Sequence, residues 1–369
     1  MANLVLYRKY RPKSFGEVVG QEHIVQTLRN AVESGLLSHA YLFSGPRGSG
    51  KTTLARILAK ALNCKNPKAG EPDNKCESCQ EINQGRAMDL IEIDAASNRG
   101  INEMRDLKET IRFVPTKLQY KVFVIDEAHQ LTKEAANALL KTLEEPPAHA
   151  IFVLATTEVH KMIPTIISRC QRFDFRKLKQ GEIVKRLEDI AKKEGVSIEQ
   201  TALELLSGNA GGSLRDAESL LDRILTFHLK QKGEKIPVES VQEILGIVDI
   251  HILSEFTDLL SQSKTAKAIR FLNSNLEAGM DPQEFVKNLI EYLRRILILK
   301  INPELNEVIS AGFTKEQQER IEEQAKSIDS QFMAKTIKHF MAAEQDMKYA
   351  DIIQLPLELA IIDSCTNTS

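Results

Sequence analysis

The chain has 369 residues, 42% hydrophobic and 27% charged, and its 49 Lys and Arg stand against 51 Asp and Glu for a net charge of -2. At roughly 150 residues per domain this is two or three folded domains, which excludes a small disulfide scaffold, a disordered or fibrous chain and a uniformly basic nucleic-acid binder. No apolar run approaches the ~18 residues that span a bilayer, and the opening MANLVLYRKYRPKSF lacks an apolar signal-peptide core, so the expected location is the cytoplasm with no membrane partner.

Residues 22 to 35 have the spacing of an amphipathic helix, and His39 to Ser44 is a short apolar run that stops at Gly45, a buried strand entering a loop. Compact apolar runs follow at Leu90 to Ile93, Lys121 to Ile125, Ile151 to Thr156 and Arg172 to Phe175, separated by stretches with helical spacing. Strands alternating with helices predict a parallel α/β sheet whose sites lie at the strands' carboxyl ends. From about residue 180 the strands cease. Helical patterns at 180–194, 199–209, 214–229 and 237–246 predict a small all-helical unit. A helical bundle is expected from 247 to about 363, where Phe285, Val286, Leu289, Ile290, Leu293, Ile296 and Leu297 form a wide apolar stripe. That stripe serves either packing within the bundle or contact between copies. The polar end, 366–369, reads as a frayed tail.

Five cysteines, Cys64, Cys76, Cys79, Cys170 and Cys365, are an odd number in a chain expected to stay reduced. Cys76-Glu77-Ser78-Cys79 has the C-x-x-C spacing that places two thiolates at adjacent corners of a tetrahedral zinc site. Cys64, at a helix end, could add a third, and Asp73 could complete the shell with a carboxylate oxygen.

Gly45-Pro46-Arg47-Gly48-Ser49-Gly50-Lys51-Thr52 is an unbroken G-x-x-x-x-G-K-T between a strand and a helix. The glycines let backbone N–H groups curl toward phosphates at a helix N-terminus. Lys51 would neutralise the β and γ phosphates, and the Thr52 hydroxyl would reach Mg²⁺. Val122-Phe123-Val124-Ile125-Asp126-Glu127 brings two carboxylates to the same sheet edge. Asp126 would hold the magnesium and Glu127 would orient and polarise an attacking water.

These motifs stand with Asp126-Glu127-Ala128-His129, Leu154-Ala155-Thr156-Thr157, Ser168-Arg169-Cys170 and Gly212-Ser213-Leu214-Arg215-Asp216. So do the segments YRKYRPKSFGEVVGQEHI at 7–24, LIEIDAASNRG at 90–100 and ALLKTLEEPPAHAIFVLATTE at 138–158. Together they resemble the AAA+ clamp-loader ATPases of bacterial replication, over essentially the whole chain and most strongly from 4 to about 220. The resemblance implies an α/β plus all-α protein: an AAA+ P-loop domain over 1–179 with a zinc knuckle at about 64–79, a helical lid over 180–246 and a helical collar over 247–369. Longer members of that family run on into helicase- and polymerase-binding domains, so a chain ending at Ser369 looks like the shorter loader core or a truncated form.

The resemblance also implies roles. Arg169 would be an arginine finger reaching the ATP of a neighbouring subunit; complementing a helix carboxyl end is the other use of such a residue. Thr157, with Thr156 as the alternative, would sense the γ phosphate, and Arg215 would be a second sensor, unless it merely pairs with Asp216 or Glu218. Nucleotide contacts would come from Tyr7, Arg11, Pro12 and Val19 at the adenine, from Gly45 to Thr53 (including Thr52 and Thr53) at the phosphates, and from Thr157, Leu214 and Arg215. The basic, aromatic run from Tyr7 to Lys13 can also be read as a nucleic-acid contact or a solvated strap. Family members carry four zinc cysteines, and this chain has Asp73 where one is expected, so the implied set is Cys64, Asp73, Cys76 and Cys79. Arg99, Arg105, Lys108 and Arg112 would face primer-template DNA without reading its sequence, although interleaved acids make an ordinary charged helix the competing picture. ATP, Mg²⁺ and structural Zn²⁺ are the implied cofactors. The implied partners are further copies of the chain, delta and delta-prime subunits, the sliding clamp, primed DNA and, indirectly, single-strand-binding protein. The rival readings are another AAA+ motor on DNA and a catalytically silent, ATP-bound scaffold.

Overall fold

The computed structural model describes residues 4–97, 109–228, 235–246, 250–305 and 315–366. Two compact units account for them, one formed by Met1–Ile198 with Leu206–Lys235 and the other by Glu199–Leu205 with Ile236–Ser369.

The first unit is built on five parallel strands, β1 (Ala40–Ser44), β2 (Leu90–Asp94), β3 (Lys121–Asp126), β4 (Ala150–Thr156) and β5 (Gln171–Asp174), in the order β2-β3-β4-β1-β5. Its helices are α1 (Leu6–Lys9), α2 (Glu22–Ser34), α3 (Lys51–Asn63), α4 (Glu77–Asn83), α5 (Lys133–Glu144), α6 (Pro164–Ile167), α7 (Gln180–Glu194) and α9 (Leu214–Phe227), while α8 (Gln200–Asn209) is divided between the units.

Side chains alternate across the sheet with the period of two that strands impose. Tyr41, Phe43, Val122, Val124 and Val153 face one side, where they meet Ile24 and Leu28 of α2 and Leu54, Ile57 and Leu58 of α3. Leu42, Phe123, Ile125, Phe152 and Leu154 face the other, against Ala135, Leu139 and Leu143 of α5. Burial on both faces explains why the central strands are unbroken apolar runs. The edge strands β2 and β5 carry Glu92, Asp94, Arg172 and Asp174, charges that discourage further strand addition.

Register then places the chemistry. Ser44 pairs with Thr156 across β1 and β4, and Ile125 with Leu154 across β3 and β4, so the loops leaving β1, β3 and β4 emerge side by side. The helices expected at 180–194, 199–209 and 214–229 form at Gln180–Glu194, Gln200–Asn209 and Leu214–Phe227.

The second unit adds α10 (Val238–Leu245), α11 (Ile250–Ser261), α12 (Thr265–Glu277), α13 (Pro282–Ile301), α14 (Lys315–Ser327), α15 (Ser330–Asp346) and α16 (Leu355–Thr366). Helix α13 starts with Asp281 accepting from the Glu284 N–H at 2.9 Å and with Pro282 at its first position, a cap and a preset φ. Its stripe, Phe285, Val286, Leu289, Leu293 and Ile296, is buried in this unit's own core, with Ile290 and Leu297 packed at the margin. Phe256 meets Phe285 and Phe340 edge-on, at centroid distances of 5.1 and 6.1 Å. Buried Gln324 accepts from the Tyr292 hydroxyl at 2.6 Å and donates to Ser254 O and Asp258 Oδ1. Among the described residues no helix is long and apolar enough to cross a membrane.

Candidate active site

The loop after β1 is shaped by contacts that only glycine permits. Gly48 has φ +73°, and a Cβ there would stand 1.9 Å from Ser213 Oγ. A Cβ on Gly45 would lie 2.4 Å from Phe175 O. Buried Gln21 fixes the loop from below, donating to Arg176 O at 2.9 Å and to Ser49 O at 3.4 Å. Helix α3 begins at Lys51, so its amide ends face the loop's concave side.

Lys51 is buried, and its Nζ donates to Gly45 O and Pro46 O, both at 2.8 Å. Burial pulls its pKa down, with Glu127 and Asp126 pulling the other way. Thr52 Oγ1 donates to Asp126 Oδ2 at 2.8 Å, and Asp126 Oδ1 accepts from the Glu127 N–H at 3.0 Å. The hydroxyl and carboxylate proposed for magnesium therefore share one spot, with a donor set of hard oxygens that suits that ion.

Glu127 sits at φ +47°, a left-handed backbone uncommon for a residue with a side chain, which turns its carboxylate across the sheet edge. Its Oε2 accepts from Thr157 Oγ1 at 2.9 Å and from Thr157 N at 3.3 Å. Thr156 is buried and meets His129 Nδ1 at 2.9 Å, and His129 lies 3.4 Å from Glu127 Oε2 and 3.2 Å from Glu158 Oε2. Of the two threonines, Thr157 is the one beside the carboxylate.

A cleft runs from these groups to the N-terminal strap and the start of α9. It is lined by Tyr7, Arg11, Pro12, Val18, Val19, Arg47 to Thr53, Asp126, Glu127, Leu178, Leu214, Arg215 and Glu218. Most of the residues expected to touch nucleotide thus share one concavity; Gly45, Pro46 and Thr157 support it without lining it. Arg215 lies 4.9 Å from the Tyr7 ring centroid and holds the phenol below its ordinary pKa. Glu218 pairs with Arg186, leaving Arg215 to the cleft. The strap is fastened by Lys9 to Glu194 at 2.7 Å and by Arg186 to Tyr10 O. Arg169 stands outside the cleft, bonded to Glu144 Oε1 at 2.6 Å and Thr165 O at 2.8 Å. Leu178, Gln21, His129 and Glu218 are the additions that sequence reasoning did not assign. His129 and Gln21 belong to segments already singled out, whereas Leu178 and Glu218 carry no local signal.

A second cluster closes the end of α3. Cys64, Asp73, Cys76 and Cys79 bring one donor atom each to within 4.8 Å of one another. Cys64 and Cys76 Sγ are 4.0 Å apart, close to the roughly 3.8 Å edge of a tetrahedron with 2.3 Å Zn–S bonds. Asp73 Oδ1 accepts from the N–H groups of Cys76 at 3.1 Å and Lys75 at 3.0 Å, which hold its carboxyl well below the usual range. Burial raises the thiols of Cys64 and Cys79. Three sulfurs and a carboxylate on fixed backbone fit a zinc shell. Lys60 Nζ, next to this cluster, donates to Lys13 O at 2.5 Å, Asn74 Oδ1 at 2.6 Å and Asn83 Oδ1 at 2.8 Å. Of the residues proposed to face DNA, Arg99, Arg105 and Lys108 lie outside the described residues, and Arg112 is exposed at the end of a helical turn.

Comparison with known proteins agrees along the chain. Residues 20–179 match the family described as DNA polymerase III, delta subunit. Residues 182–227 match the DNA polymerase III clamp loader subunit ATPase lid domain, and 236–369 match DNA polymerase III subunits gamma and tau domain III. The DNA polymerase III subunit tau of Bacillus subtilis is 42% identical over 365 residues, covering 99% of this chain and 64% of that protein. The gamma subunit of Buchnera aphidicola subsp. Schizaphis graminum is 36% identical over 362 residues, 98% of each. The chain thus spans 64% of the first of these relatives and nearly all of the second. Among solved structures, the Thermotoga maritima RuvB Holliday junction branch migration motor is 21% identical with a TM-score of 0.51, covering 86% of this chain and 90% of that one, a likeness of fold. With three consecutive family matches and a relative matched from end to end, the chain belongs to the gamma/tau family of DNA polymerase III subunits.

Proposed function

We propose that the chain is an ATP-hydrolysing subunit of a clamp loader, which opens a sliding clamp and places it on primer-template DNA in the cytoplasm. Its partners would be further copies, delta and delta-prime subunits, the clamp and, indirectly, single-strand-binding protein. The parts would be an AAA+ domain over 1–179, a lid over 180–246 and a collar over 247–369. The observation that carries this reading is the convergence of Lys51, Thr52, Asp126 and Glu127 at one end of a cleft whose other end is walled by the strap and α9.

In this mechanism Lys51 exchanges its two loop carbonyls for phosphate oxygens, and the amides of Gly48 to Thr52 supply further donors. Magnesium, held at Thr52 and Asp126, would supply charge neutralisation between the phosphates. Glu127, released from Thr157 as that hydroxyl turns to the γ phosphate, orients the attacking water. Arg215 reports the phosphate to α9, and Arg169 serves a neighbouring chain's cleft. Zinc at Cys64, Asp73, Cys76 and Cys79 would be structural, because all four donors are protein groups. Arg99, Arg105, Lys108 and Arg112 would meet the DNA backbone.

ATP turnover of the full chain with its partner subunits, measured with and without clamp and primed DNA, tests the reading. Clamp and primed DNA together should stimulate most, and Glu127→Gln should lower turnover by about 10²- to 10⁴-fold. Equal turnover in the variant and the unaltered chain would remove the mechanism.

A further inference from the structure

The carboxylate proposed to orient water has a second neighbour besides Thr157. His129 leaves the same end of β3 as Glu127, and its side chain is only 4% exposed although it does not line the cleft. The left-handed backbone at Glu127 starts a 3₁₀ turn over Ala128–Gln130, closed by the Gln130 N–H on Glu127 O at 2.8 Å. That turn brings the imidazole back against the Glu127 side chain, with Nδ1 3.4 Å from Oε2. The same Nδ1 lies 2.9 Å from Oγ1 of Thr156, the β4 residue that precedes Thr157. One ring nitrogen therefore stands between the ends of β3 and β4.

Its neighbours assign the ring proton. Around Nδ1 are a hydroxyl oxygen and a carboxylate oxygen, and an ionised carboxylate can only accept. At Nε2 the amide nitrogen of Gln130, 3.1 Å away, can only donate, and Glu158 Oε2, at 3.2 Å, already takes the Lys161 ammonium at 2.7 Å. Nδ1 thus carries the proton and points it toward Thr156 and Glu127. Thr156 Oγ1 also accepts the Glu158 N–H at 3.0 Å, so the ring is anchored to a fixed hydroxyl.

Thr157 Oγ1 donates to Glu127 Oε2 at 2.9 Å, and that bond is lost when the hydroxyl turns to phosphate. His129 Nδ1–H then remains beside the carboxylate, close enough to shorten into a hydrogen bond as the reacting complex tightens. Resting on the ATP-hydrolysis mechanism above, we propose that His129 is a positioning residue for that step: it retains Glu127 as Thr157 withdraws, so that the carboxylate stays aimed at the attacking water. It acts through Glu127 and does not touch the nucleotide.

The test is ATP turnover and equilibrium ATP binding by the full chain with its partner subunits, for His129→Leu, His129→Gln and His129→Asn. Asn can put an N–H near the Nδ1 position, whereas Gln reaches toward Nε2. The Leu and Gln variants should lose about 10- to 100-fold in kcat with KM and ATP binding within about twofold, and Asn should recover most of the loss. His129→Leu added to Glu127→Gln should cost less than about twofold more, because residues that act as a unit are not additive. Losses that multiply in the double variant, or an equal loss in all three single variants, would mark His129 as packing alone and overturn the proposal. Unchanged kcat in the Leu variant would overturn it as well. If the Leu variant fails to fold, Gln takes its place in the double variant. Turnover unaffected by Glu127→Gln itself removes the mechanism above and this inference together, whereas a loss there without one at His129 removes this inference alone.

Discussion

Glu127 and Glu218 are acids of the same cleft in opposite circumstances. Glu127 is hydrogen-bonded by Thr157, whereas burial pushes the Glu218 carboxyl up to about 7 against the opposing pull of Arg186 and Arg11. A carboxyl raised in the folded state binds more protons there than in the unfolded chain between its ordinary value near 4.5 and about 7. Its contribution to stability is therefore full below that window and is lost as pH rises through it. Denaturation of unaltered chain and Glu218→Gln across pH 4 to 8 should show the difference shifting in favour of the variant by about 1–3 kcal/mol through the window, then levelling. Parallel profiles would show that Glu218 is not held in this way. Nothing around residue 218 in the sequence announces its burial, because its cations come from Arg186 and Arg11, far away in the chain. Lys51, Thr52, Asp126 and Glu127 were legible because each sits inside a contiguous run whose residue types already state the chemistry.

Elements were legible wherever burial writes a period. Strands β1, β3 and β4 are covered on both faces and read as apolar runs. Their spatial order, which puts β1 between β4 and β5, has no counterpart in the linear pattern. The start of α7 shows what a helix end needs. Glu182 accepts two bonds from Arg176, at 2.6 and 2.9 Å, and one from the Lys179 N–H at 2.8 Å. Arg176, then the Lys179 N–H, hold its carboxyl down at about 2. A depressed carboxyl stabilises the fold above its ordinary range and loses that contribution as pH falls toward 2. Glu182→Gln should cost about 1 kcal/mol near neutral pH, by chemical denaturation, with the gap closing as pH falls below about 4. A gap that stays constant down to pH 3 would mean that the ion pair does not set the helix start.

Across the whole molecule, each unit has its own apolar core, and the α13 stripe belongs to the core of the second. Any contact between copies of the chain would therefore have to use other surface, and Ile352, Ile353, Leu359 and Ile362 are apolar side chains left exposed near and on α16. Assembly also bears on Arg169, which stands outside the cleft of its own chain, bonded to Glu144 and Thr165. Mixing an Arg169→Ala chain with a Lys51→Ala chain should restore part of the ATP turnover that each lacks, because one supplies the arginine and the other an intact cleft. No recovery at saturating protein would leave the arginine without a role across chains. Sequence alone could not separate a finger from a helix-end cation, since both ask only for an exposed arginine.

Lys60 gives the cysteine cluster a reach beyond its own loop. Its ammonium group, on α3 more than two helical turns beyond Lys51, joins Asn74 and Asn83, which flank Cys76 and Cys79, to the main chain at Lys13. Glu71, from the same insertion, receives the N–H groups of Phe15 and Gly16 at 2.8 and 3.0 Å. The segment that carries Tyr7 and Arg11 is thus moored to the cysteine insertion at successive points just downstream of them. Loosening the insertion would slacken that mooring, and the strap side of the cleft, at Tyr7 and Arg11, would feel the change even though no cysteine lines it.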